Sequence, residues 1–133
     1  MRRFHCLSLA VLMAAGPALA VEPIGPDQLK TLITGNTLYV SLPAGVPGAP
    51  EGGIAPIYFA VDGAATAKLP AGLTLIGTWE FAAEGYCVDW DNGPKDSCSS
   101  ISRGADSFMI MDAKSGEPRG QVFTIATGNA EQL

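Results

Sequence analysis

Apolar residues in this chain first run together and then break into short bursts. Residues 6–15 form one mainly apolar run behind Arg2 and Arg3, too short to span a bilayer, which takes about 20 apolar residues. Gly16 and Pro17 interrupt it, and Ala18-Leu19-Ala20 then supplies the small-x-small pattern that a signal peptidase accepts. The pattern predicts a cleavable export signal cut after Ala20, followed by one domain over residues 21–133. Cys6 stands at the start of the apolar run instead of at its end, which argues against a lipid anchor.

Beyond the signal, Leu29, Leu32 and Ile33 share one face of a short helix predicted over residues 26–34, with Gly35 as its stop. From residue 37 the apolar period changes to the strand type. Eight runs are predicted as strands, at 37–42, 57–61, 64–69, 73–81, 86–90, 97–102, 107–112 and 121–127. The turn signals between them include Asp62-Gly63, Asn92-Gly93-Pro94 and Ser115-Gly116. Eight short strands at such spacing predict an all-β domain, an antiparallel meander forming a barrel or a strongly curved sheet. Residues 43–56 are the exception. Rich in Pro and Gly, they are expected to stay out of the ladder as a surface loop, either an insertion or a lid over a barrel mouth.

Composition narrows the chemistry. The signal would take with it Arg2, Arg3 and no acid, so 133 residues less 20 leaves 113, with six basic and thirteen acidic side chains and a net charge of −7. Such a charge repels nucleic acid. His5, the one histidine, also falls in the signal. A mature chain without imidazole has no Ser-His-Asp or Cys-His machinery and no His-containing zinc, copper or haem site. No enzyme activity and no cofactor are therefore expected, and no membrane span after processing.

Cys87 and Cys98 remain as the only pair in an oxidising compartment. Pro94 lacks the N–H that a two-residue Asn92-Gly93 turn requires, so a four-residue loop over 91–94 is expected. That register sets Trp90 against Lys95, Asp89 against Asp96 and Cys87 directly against Cys98, at a non-hydrogen-bonded pair suited to a cross-strand disulfide. It sends Tyr86, Val88 and Trp90 to the core and offers a cation-π contact from Lys95 to Trp90. Asp89, Asp91 and Asp96 are weak candidates for a hard cation such as calcium, against the plainer reading of solvated acids beside a turn. Met109 and Met111 have a spacing that soft copper could use, although strand packing accounts for them as well.

Gly77-Thr78-Trp79 partly resembles the Gly-x-Trp of lipocalin barrels, here in mid-chain instead of the first strand. Taken together, Gly35-Asn36-Thr37, Tyr58-Phe59 with Asp62-Gly63, Gly77-Thr78-Trp79, Tyr86-Cys87-Val88-Asp89-Trp90 and Cys98 resemble a family of small exported Gram-negative bacterial proteins classed as a domain of unknown function. The resemblance covers residues 29–100. It implies a periplasmic β domain and brings no catalytic residue. The expectation is a periplasmic or secreted binding module for a small or apolar ligand in a β-meander barrel, with a protein-interaction domain such as an inhibitor of a cell-wall hydrolase as its rival. An incompletely filled interior would favour the first and a solid one the second.

Overall fold

The computed structural model describes residues 22–104 and 106–133; the expected signal and its cut lie outside them. A two-residue strand β1 (Glu22–Pro23) precedes helix α1 (Pro26–Ile33). Eight further strands follow: β2 (Asn36–Leu42), β3 (Gly53–Phe59), β4 (Ala64–Lys68), β5 (Thr74–Ala82), β6 (Gly85–Trp90), β7 (Ser97–Arg103), β8 (Phe108–Asp112) and β9 (Pro118–Thr127). Every strand from β2 to β9 pairs antiparallel with its neighbour in sequence, and β9 returns to pair with β2. The result is a closed eight-stranded antiparallel barrel, which leaves no free edge among those strands. β1 is added outside it, pairing Glu22 and Pro23 with Arg103 and Ser102 where β7 runs on past the end of β6.

Period-two alternation decides what faces inward. Along β5, Leu75 and Trp79 are buried while Thr74, Ile76, Thr78 and Glu80 are exposed, and in β6 Tyr86, Val88 and Trp90 form the inner row. Gly77 completes the β5 inner row at a position without room for a side chain. A Cβ there would stand 2.2 Å from the carbonyl oxygen of Asp89 and 2.8 Å from Cα of Trp90, so glycine permits the tight approach of β5 to β6.

One end of the barrel is closed. Pro26 opens α1 at its first turn and Gly35, at φ +71°, ends it. The helix carries Leu29 and Ile33 into the same core cluster as Phe59, Trp79 and Tyr86. There Trp79 and Tyr86 each meet Phe59 edge to face, at 5.5 and 5.3 Å between centroids. The indole N–H of Trp79 donates to the carbonyl of Ala60 at 2.9 Å, so its one polar atom is satisfied. Behind them the buried Thr37 hydroxyl donates to Gly128 and accepts from the N–H of Ala130, tying down a C-terminal tail that gives no sign of this role in sequence.

Residues 43–56 depart from the expected surface loop. Gly53, Ile54, Ala55 and Pro56 belong to β3 and pair with β2. The β3–β4 ladder stops at Ile57 and Ala67, so the N–H that Pro56 lacks falls where β3 has no partner on that side. Residues 43–52 fold into a small turn of their own, with a bridge between Val46 and Ala49 and hydrogen bonds from Gly45 to Pro50 and from Gly52 to Ala49. Ala49 is fully buried. Left-handed glycines make this compactness possible: at Gly48, φ +82°, a Cβ would collide with Leu69 at 2.2 Å.

Candidate functional site

At the end opposite α1 the barrel is hollow. A cavity of about 590 Å³ opens between the β2–β3 turn, the β4–β5 turn and the β6–β7 hairpin. Its walls are mostly apolar, from Val40, Leu42, Ala55, Ile57, Phe59, Ala67, Leu69, Leu75, Val88, Trp90 and Ile110. Ala55 and Ala67 contribute small side chains to its inner wall, and an eight-stranded barrel has just enough interior to be filled by side chains or to hold one small molecule.

One wall differs. Ser97 and Ser99 on β7 face the cavity with Arg119 and Tyr86. Arg119 owes its position to a β-bulge: Ile110 pairs with Gly120 and Met111 with Pro118, so Arg119 is the unpaired extra residue of β9. Strict alternation from Gly120, which lines the cavity, would turn residue 119 outward; the bulge re-aims it inward. Its Nη1 donates to Ser97 Oγ at 2.9 Å and to Ser99 Oγ at 3.0 Å. Its Nε donates to Asp112 Oδ2 at 3.1 Å, and Nη2 closes an ion pair on the same carboxylate. Asp112 stands across the ladder from Ser99, on the inward side. The backbone N–H groups of Ser115 and Lys114, followed by Arg119, hold its carboxyl below the ordinary value, at about 2. Burial pushes the Tyr86 phenol up to about 12, against the opposing pull of Ser99 and Arg119. None of this polar wall beyond Tyr86 was marked by the sequence patterns, because strand periodicity predicts alternation and is silent on where it breaks.

The hairpin at the mouth keeps the expected disulfide and loses the expected register beyond it. Cys87 pairs with Cys98, their Cα atoms 4.0 Å apart, and the sulfurs are bonded. They lie on the outer face, opposite Tyr86 and Val88. Past Val88 and Ser97 the ladder gains a residue: the N–H of Trp90 donates to the carbonyl of Pro94, and Asp96 takes the left-handed conformation at φ +47°. The loop is therefore 91–93, with a bulge at Asp96. Trp90 does not face Lys95, nor Asp89 Asp96. Among the described residues the cation-π contact is that of Arg103 with Phe108, and Lys95 is exposed. Asn92 closes the loop on β5 by accepting from the N–H of Ile76 and donating to the carbonyl of Thr74.

Asp89, Asp91 and Asp96 are exposed at separate points of this hairpin. Among the described residues no three His, Cys, Asp or Glu side chains gather closely enough to hold a metal ion. Met109 and Met111 are half-buried on the face of β8 opposite the cavity-lining Ile110. Among the described residues no helix is long and apolar enough to cross a membrane. Comparison with protein-family models, with curated proteins and with solved structures gave no match.

Proposed function

We propose that this chain is an exported, non-enzymatic, calycin-like binding protein that carries one small, mainly apolar molecule inside its barrel. The observation that supports the reading is the unfilled interior. A hollow of about 590 Å³ falls within the range of small-molecule sites, about 300–1,000 Å³, and shows their usual make-up of apolar walls with a few convergent polar groups. The rival reading, an interaction domain, draws no comparable support, since it calls for a solid core. The closed end, with Trp79 beneath the cavity and α1 across it, suits a cup with a single opening.

Titration of the mature protein with an apolar fluorophore, followed by calorimetry with the compound that displaces it, tests the reading. Saturable binding at one site per chain is expected, as is its loss in Ala67→Phe, whose ring would occupy the hollow. A folded wild-type chain that binds no apolar compound would overturn it. N-terminal sequencing of exported protein should begin at Val21.

A further inference from the structure

We infer that the cavity selects amphipathic molecules whose head is uncharged and accepts hydrogen bonds, seating that head against Arg119, Ser97 and Ser99, and that it disfavours fatty carboxylates. The inference rests on the ligand-carrier reading and narrows it. A lone guanidinium on an apolar wall would ordinarily invite an anion. Here the charge is already met. Arg119 commits Nε and Nη2 to Asp112, and the two N–H groups that Asp112 accepts from Lys114 and Ser115, at 2.8 and 3.0 Å, keep it ionised at any physiological pH. A second carboxylate brought to Arg119 would face Asp112 from the inward side of the barrel. Its lost hydration would have no uncompensated cation to replace it.

An acceptor without charge meets a better site. Ser97 and Ser99 both accept from Nη1; the Ser99 hydroxyl has the Tyr86 phenol as its partner, and Ser97 keeps its own proton to donate. Hydrogen bonds polarised by a neighbouring guanidinium are stronger than those of an isolated hydroxyl. A carbonyl or ether oxygen at the end of an apolar body would take the Ser97 donor while the body lies along Val88, Ile57 and Leu75.

The test compares an alkane, a methyl ketone and a carboxylate of equal chain length by calorimetry on the mature protein at neutral pH. The ketone is expected to bind about tenfold more tightly than either of the others, equivalent to roughly 1.4 kcal/mol. Asp112→Asn supplies the second arm, because it frees the charge of Arg119 and keeps the side chain's shape. In that variant the carboxylate should gain at least about tenfold while the alkane is unchanged, a response that a merely structural role for Asp112 would not produce. A carboxylate that binds the wild type most tightly, a ketone no better than the alkane, or an unaltered carboxylate affinity in folded Asp112→Asn would each overturn the inference. Failure of all three compounds to bind folded wild-type protein would instead overturn the carrier reading, and this inference with it.

Discussion

Arg119 and Asp112 show how much one residue can depend on its surroundings. In the sequence Pro118-Arg119-Gly120-Gln121-Val122, the arginine looks like an ordinary exposed strand position; at the bulge it lines the cavity while its side chain stays 36% exposed. Its partner Asp112 has a folded pKa of about 2, below the ordinary 3.8. The contribution is therefore fully present above the ordinary carboxyl value and is lost as pH falls from there toward 2. Thermal melts across that window should show wild type losing stability on acidification, whereas Asp112→Asn should be less stable at neutral pH and lack most of that step. The Tyr86 phenol works in the opposite sense. Its folded pKa, raised to about 12, gives a contribution present below 10 and lost as pH rises toward 12, so Tyr86→Phe should flatten the alkaline limb of the same curve. At Gly77 the constraint is steric. Gly77→Ala would drive a methyl into the Asp89 carbonyl, and a loss of about 1–3 kcal/mol is expected in urea denaturation, as for other overpacked sites.

The element that carries most local instruction is the hairpin of β6 and β7. Cys87 and Cys98 close a loop with a separation of 11 residues, which by chain entropy is worth roughly 3 kcal/mol. Replacing both by Ser should keep the barrel and lower stability by about 2–4 kcal/mol, read from denaturant midpoints. Free thiols titrated in unreduced, unfolded wild type would contradict the bond. Because the bridge lies on the outer face, away from the cavity walls, ligand affinity should change far less than stability does. The disulfide pairing could be read from the two cysteines left beyond the expected signal and from their spacing; the four-residue loop inferred from Pro94 was not the one formed. The bulge at Asp96 could not be read, since a non-glycine residue in the left-handed region carries no composition signal. The turn over 43–52 makes the same point: its Pro and Gly residues spell irregular backbone, and only the proximity of Leu69 and Leu42 turns that irregularity into a packed rim.

At the scale of the whole molecule, closure between β2 and β9 makes a cup out of a meander. A ligand that binds only the folded cup must raise its stability by mass action, by about 2.7 kcal/mol at a free concentration one hundred times Kd. The melting temperature should therefore climb with the concentration of a bound ketone in wild type and stay fixed in Ala67→Phe. Should both proteins respond alike, the added compound is binding somewhere other than the cavity.

Strands, short helix and meander were all legible in the local pattern of the chain. Period-two alternation and turn residues act over a few neighbours, and β2 to β9 appear close to the runs where that pattern places them. The same pattern also determined which row of β6 is apolar, because alternation from Cys87 leaves Tyr86, Val88 and Trp90 on one face. Long-range packing settled that the sheet closes, that a hollow remains at one end, and that Arg119 lines it beside Ser97 and Ser99. Those outcomes depend on distances between residues far apart in the chain, and on two bulges in β9 that shift its register against β2 and β8. A local pattern carries no information about such distances, so the walls of the barrel were legible from the sequence and its cavity was not.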